Sequence, residues 1–315
     1  MSTSLTCAAK NPMLPVAMTN ERPLLDWLLA RYPDTPKTRA KQWIQAGRVR
    51  VGGTVIRQPH RQLPDPGGAL HLAHRAAVAR WRIHPRVEIL YLDAALAVVN
   101  KGPGLLSVSA RPGELSAQSI LADFLAGKLR SRHPVPPPYR RLRPLPVHRL
   151  DQYTSGVFCL AMNPVARRQL IAQIQSHTVQ REYVAYVEGR PASPTGTWRH
   201  WLKLGAAELR QTVVPHSAGA RAAVTHYELL ETFGAAAKLR LRLATGCKHQ
   251  IRVQAAHAGL PLIGDRTYNP RGRIPFGRQA LHAQTLGLEH PETRRVMTFT
   301  APLPPDLRQL EARLR

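Results

Sequence analysis

Residues 148–156 read HRLDQYTSG, and residues 157–162 continue as VFCLAM. The second string is an unbroken apolar run with the length of a strand buried on both faces. Thr154, Ser155 and Gly156 make a turn into that strand, so Asp151 belongs at the lip of a sheet. Arg140, Arg141, Arg143 and Arg149 crowd it, and neighbouring cations favour the charged form of a carboxylate. An aspartate before a turn is often only a cap or an Asx-turn residue. Taken alone, that position favours the structural role for Asp151.

Strand patterns dominate on either side. Residues 87–92 and 96–100 read as strands separated by a turn at Asp93. A helix is expected over 119–129, and 134–146, rich in Pro and Arg, as an exposed loop. Asn163-Pro164 is a helix start signal, with the helix running to about Gln175. Residues 179–188 read as a strand, and 222–233 and 238–244 as a strand pair around Gly234. Residues 249–257 read as a helix ending before Gly259, and 282–288 with 295–300 as closing strands. Strands outnumber helices, and the two do not alternate strictly. The expected fold class is α+β, with a mostly antiparallel sheet over residues 87–315.

The N-terminal part has a different pattern. Leu24, Leu25, Leu28 and Leu29 form a helical stripe. Thr35-Pro36 opens a second helix with Ala40, Trp43 and Ile44 on its buried face. Gly47 can end that helix. Val49 and Val51 then alternate, Gly52-Gly53 turns, and Val55 begins a return strand. Residues 19–74 are thus expected to form a small α/β domain, 75–86 a linker, and 1–18 a disordered leader.

The formal charge of +26, from 45 Lys and Arg against 19 Asp and Glu, points to a polyanionic partner. No window approaches eighteen consecutive apolar residues, so no membrane span is expected. Cys7, Cys159 and Cys247 are odd in number and far apart. That pattern suggests reduced thiols in the cytoplasm, without a disulfide framework. The histidines are scattered, so no metal site is expected.

Four strings together carry a family resemblance. HRLDQYTSG resembles the HRLD-x-x-TSG signature of the RluA-type pseudouridine synthases, whose aspartate is catalytic. Residues 245–268, TGCKHQIRVQAAHAGLPLIGDRTY, resemble the family string that holds the arginine paired with that aspartate. Residues 181–189, REYVAYVEG, resemble the strand whose tyrosine packs on the target uracil, and 281–291, LHAQTLGLEHP, the closing strand. Residues 100–108, NKGPGLLSV, resemble the family's early loop, but Gly102 stands where Pro usually follows Lys. Cys247 and Gln254 replace the usual Arg and His. Upstream, helix, basic helix and basic hairpin resemble an S-four-like RNA-binding module, whose phosphate-facing patch would be Arg39, Lys41, Arg48 and Arg50.

The resemblance implies isomerisation of uridine to pseudouridine in structured RNA. Ribosomal RNA is favoured by the S-four-like module, and transfer RNA is possible from the wording of the early loop. The bond from the anomeric carbon to a ring nitrogen breaks, and the base is rejoined through a ring carbon. Nothing is oxidised, so no cofactor is expected. Asp151 would be nucleophile or base, Arg252 its bidentate partner, and Tyr183 the platform for a flipped base. Arg149 would fill the vacated space or hold a phosphate, with Lys248 and His249 as further RNA contacts. His148 would shape the same loop or be structural, and His282 is read as structural or RNA-proximal. The enzyme is expected to be a cytoplasmic monomer. Two competitors remain: a catalytically silent RNA-binding or ribosome-assembly protein with the same fold, and an RNA hydrolase needing a second carboxylate near Asp151.

Overall fold

Three leucines on one helical face build the first core. Leu24, Leu25 and Leu28 of α1 (Leu24–Arg31) are buried against Ala40 and Ile44 of α2 (Lys37–Gln45). Before α1, β1 (Arg22–Pro23) pairs antiparallel with β4 (Gln62–Leu63). Strands β2 (Val49–Val51) and β3 (Thr54–Val55) form the expected hairpin. Gly52 and Gly53 both have positive φ, at +55° and +83°, the conformation a two-residue hairpin turn demands. Strand β2 also pairs with β5 (Leu70–Leu72), which the sequence did not announce, and Val49, Ile56 and Leu70 complete the core.

The computed structural model describes residues 21–33, 35–45, 47–72, 81–109, 111, 113–129, 135, 139–205 and 210–315. The expected leader over 1–18 lies outside them. The chain divides into two compact units, one ending at Ala73 and one beginning at His74. Part of the linker expected over 75–86 lies outside the described residues, and part of it is a strand. Strand β6 (Trp81–His84) already pairs with β7 (Val87–Leu92), with Ile83 turned into the core.

The second unit is built on one sheet of twelve strands. Its centre is β10 (Ser155–Ala161), every residue of which is buried. Phe158 and Leu160 point into one core, and Val157, Cys159 and Ala161 into another on the opposite face. Burial on both faces is why the sequence reads as a continuous apolar run rather than an alternating one. Strand β10 is antiparallel to β8 (Leu96–Lys101) and parallel to β16 (Leu281–Glu289). A Cβ at Gly156 would lie 2.0 Å from the carbonyl oxygen of Ala283, so only glycine permits that parallel contact. Strand β9 (Leu145–Pro146) pairs with β10, which corrects the end of the expected exposed loop over 134–146.

Beyond β16 the sheet runs through β11 (Gln180–Glu188), β15 (Ala236–Leu243), β14 (Arg221–Phe233), β12 (Thr195–Leu204) and β13 (Gln211–Val214), all antiparallel. Strand β17 (Val296–Thr300) pairs with β16. Helix α3 (Ala117–Leu125) begins two residues before the expected start, because Ser116 and Ser119 form a reciprocal capping box. It stops short of Gly127, whose φ is +73°. Helix α4 (Pro164–Gln175) is capped by the Asn163 side chain, as expected. Helix α5 (Gln250–His257) packs Ile251 and Ala255 into the largest core. Strands β12 and β13 and a C-terminal helix, α6 (Pro305–Leu314), were not anticipated. The fold is α+β with a mostly antiparallel sheet.

Candidate active site

The turn that carries Asp151 is held at four successive carbonyls. Ser107 Oγ donates to Leu150 O (2.9 Å) and accepts from Leu150 N (3.0 Å). Thr154 N donates to Asp151 O at 3.0 Å. Lys101 Nζ donates to Gln152 O at 3.1 Å and also to Gly102 O and Leu105 O. Arg278 donates to Tyr153 O at 3.1 Å. Lys101 is wholly buried, and burial pushes its pKa down to about 7. Three carbonyl acceptors match the three N–H bonds of an ammonium, so the geometry favours the charged form. The turn is therefore rigid, and its backbone has no slack for the Asp151 side chain to wander.

Arg252 rises from α5 and meets two carboxylates. Its Nη1 donates to Asp151 Oδ2 at 3.1 Å. Its Nε and Nη2 donate to the two oxygens of Asp265 at 2.7 and 2.8 Å, and Nη2 also donates to Thr267 Oγ1. The bidentate fork expected for Asp151 thus goes to Asp265, and Asp151 receives a single bond. Burial works against the guanidinium charge, but the bonds and charges of Asp265 and then Asp151 more than offset it, so the Arg252 pKa is raised. Asp265 is fully buried and also accepts from the backbone N–H of Thr267 and Tyr268. It is the second carboxylate that a hydrolase would need, yet it has no route to a water in the cleft. It fixes Arg252 instead.

Asp151 opens on a cleft of about 340 Å³ lined by Arg149, Lys248, His249, Arg252 and Arg278 among others. An adjoining recess, lined by Asp151, Arg149, Thr154, Cys247 and Ile251, has Tyr183 in its wall. Tyr183 shares the large core with Ala185 and Val187, so it packs as a strand tyrosine and borders the site at once. Burial pushes its phenol up to about 12, which leaves it neutral at physiological pH. Arg149 is exposed at the mouth. His249 holds a left-handed conformation, φ +53°, with Nε2 at 3.8 Å from Asp151 Oδ1. Burial lowers its pKa, only partly countered by Asp151, so it faces the carboxylate as neutral imidazole. Arg149, Asp151, His249 and Arg252 line both the cleft and the recess, while Lys248 borders only the cleft and Tyr183 only the recess.

Two other histidines are structural. His148 Nε2 accepts from Cys159 N at 3.1 Å, and burial lowers its pKa to about 4. His282 bridges Ser155 Oγ and Ala301 O, and burial lowers its pKa likewise to about 4. Of the departures in the string over 245–268, Gln254 lies in the scaffold and Cys247 in the wall of the recess. Gln254 is fully buried and ties α5 to Thr225, Trp198 O and Ala223 O. Cys247 Sγ lies 3.8 Å from Ala222 O. Neither removes a group from the Asp151 and Arg252 pair, so a catalytically silent reading gains nothing from them. In the first unit, Arg39 and Arg48 stack on the Trp43 ring, at 5.9 and 5.1 Å from its centroid. Arg50 is exposed and Lys41 is half-buried.

Sequence reasoning missed Asp265, Lys101, Arg278 and Ser107. The signals were present: a lysine ending an apolar strand, and an aspartate inside the quoted string over 245–268. Among the described residues no group of three or more His, Cys, Asp or Glu could hold a metal ion, and no helix is long and apolar enough to cross a membrane.

Comparison with known proteins agrees with this geometry. The RNA pseudouridylate synthase family matches residues 95–257, and the S4 domain matches residues 22–67. The ribosomal large subunit pseudouridine synthase D of Pseudomonas aeruginosa is 35% identical, with 92% of each chain covered. An uncharacterized RNA pseudouridine synthase of Chloroflexus aurantiacus is 37% identical, covering 96% of this chain and 93% of that one. The solved structure of human RNA Pseudouridylate Synthase Domain Containing 1 is 26% identical, with a TM-score of 0.53 over 72% of this chain and 94% of that chain. The aspartate-bearing turn, the sheet beneath it and the RNA-binding module ahead of it lead to one assignment: this chain belongs to the RluA-type RNA pseudouridine synthases with an N-terminal S4 domain.

Proposed function

We propose that the chain isomerises a uridine of large-subunit ribosomal RNA, acting in the cytoplasm as a monomer. Relatives named for the large ribosomal subunit, such as that of Pseudomonas aeruginosa, support this choice of RNA. Overall, the bond from C1′ to N1 breaks and a bond from C1′ to C5 forms. N1 gains a proton and C5 loses one, so electrons balance without a cofactor. The carboxylate of Asp151 acts on the uridine as nucleophile or base. Arg252 aims it, Tyr183 gives the flipped base an apolar wall, and Arg149 takes the space the base vacates or holds its phosphate. Lys248 and His249 border the path of the RNA. The observation that carries the assignment is the chain Asp151–Arg252–Asp265. It leaves one carboxylate 22% exposed to the cleft and its partner cation locked from behind.

The test is to map pseudouridines in ribosomal and transfer RNA from cells with the gene, without it, and with Asp151→Asn alone. One or more large-subunit sites should vanish in the last two strains. Sites lost only from transfer RNA would overturn the choice of RNA. Purified Asp151→Asn should bind RNA with little change while its turnover falls by about a thousandfold or more. Appreciable turnover with intact Asn would remove Asp151 from its role.

A further inference from the structure

A second cleft, of about 300 Å³, lies beside the first and is unused by the chemistry. It is lined by Arg82, Arg86, Glu88, Pro302, Pro304 and Arg308 among others, with Lys101 and Ser155 also in its lining. The three arginines come from β6, the turn after it, and α6. All three are exposed, and none forms an ion pair among the described residues. Arg308 Nη1 donates only to Leu303 O and Arg86 Nη1 only to Gly104 O. Glu88 is the lone carboxylate in the lining, and Asn100 Nδ2 donates to it at 3.4 Å. Residues 302–305 of the wall read PLPP, an apolar and stiff segment. Guanidiniums beside a stiff apolar segment suit a phosphodiester strand, which alternates anionic phosphates with the apolar faces of sugars and bases.

Gly104 links a residue of one cleft to a residue of the other. Its carbonyl accepts from Arg86 Nη1 on one side and from Gln152 Nε2 on the other, both at 3.4 Å. Gln152 lines the catalytic cleft. Gly102, the residue that departs from the family's early loop, seats this joint. Its N–H donates to Arg86 O at 2.7 Å, and a Cβ there would come within 3.0 Å of the Arg86 Cα. A larger residue would require Arg86 to give by a few tenths of an ångström.

We infer that the Arg82–Arg86–Arg308 cleft binds the sugar-phosphate backbone of the substrate RNA next to the target uridine, and so guides the strand into the catalytic cleft. The inference rests on RNA being the substrate, as proposed above. Each arginine would neutralise one phosphate and release its counterions.

The experiment uses the full chain carrying Arg82→Ala and Arg308→Ala, which spares every contact to the catalytic turn. RNA binding is titrated over a range of salt, and single-turnover rate is read at saturating enzyme. The expected result is about tenfold weaker binding and a salt slope smaller by roughly 1.4 to 1.8, with the saturated rate and thermal midpoint unchanged. A control pair, Arg168→Ala with Arg294→Ala, removes two exposed charges outside the cleft and should leave the slope nearly intact. Equal losses in both pairs, or none in either, overturn the inference. So does loss of inorganic phosphate binding without a change in RNA binding, since the cleft would then serve a small anion. Absence of pseudouridine formation by the unmodified enzyme would instead count against the proposed reaction, and the binding titration stands apart from that outcome.

Discussion

Arg252 differs from an ordinary salt-bridging arginine in using its whole fork. Two of its nitrogens are committed to Asp265 and a third reaches Asp151. A lysine keeps the charge but offers no planar fork, so it cannot serve both carboxylates in fixed directions. Arg252→Lys should therefore lower the single-turnover rate by about a hundredfold, the scale of a small misplacement of a reacting group, with RNA affinity little changed. If affinity collapses while the rate survives, Arg252 is a phosphate clamp. His282 supports a different expectation. Folded, it takes up a proton near pH 4, while in the unfolded chain it does so near its ordinary value of 6.5. Between those values the unfolded state binds more protons, so stability falls as pH drops from 6.5 to 4 and is level in this respect above 6.5. The burial of His282 accounts for up to about 3 kcal/mol of that loss. Thermal midpoints measured across this range should slope less in His282→Gln than in the parent. An identical slope would assign the acid sensitivity to other groups.

At the scale of elements, α6 reaches the catalytic turn through one pair of side chains. Asp306, in its first turn, accepts from Arg278 Nε and Nη2, and Arg278 in turn holds Tyr153 O. Removing the carboxylate with Asp306→Ala leaves a nearly buried guanidinium without its counterion. Because Asp306 is itself 38% exposed, the cost should be modest, about 1–2 kcal/mol. A midpoint lower by a few degrees and a reduced rate at unchanged RNA affinity are expected. A normal rate would mean that the turn is held well enough by Lys101 and Ser107. This element was hard to read from sequence because only Leu307 and Leu310 anchor it among the buried residues. Strand β12 hid for a similar reason: only Trp198 and Leu202 of its ten residues are buried. By contrast, β10 and α4 were legible, one from its apolar run and the other from Asn163-Pro164. Asp151, Arg252 and Tyr183 could be picked out because they sit in long motif strings. Their mutual geometry could not, since Asp265 reaches Arg252 only through the fold.

On the scale of the whole molecule, the cores are segregated. Leu24, Leu28, Ile44 and Val49 belong to a cluster drawn only from the first unit, while the clusters around Phe158, Cys159 and Tyr186 draw only on the second. Burial is the main favourable term in folding, so a chain starting at His74 keeps nearly all of its own. It should unfold cooperatively, with a midpoint close to that of the second unit in the full protein. Its deficit should appear in binding. Arg39, Lys41, Arg48 and Arg50 are lost with the first unit, and each phosphate contact contributes roughly 0.7–0.9 to the slope of log affinity against log salt. If all four meet phosphates, the slope should fall by about 3, and affinity should fall most at low salt. Two of the four, Arg39 and Arg48, stack on Trp43. The variant Trp43→Ala in the full chain should thus reproduce part of the loss without removing a charge. A truncated chain with the parent slope would place RNA binding wholly on the second unit, and the basic helix and hairpin would then need another partner.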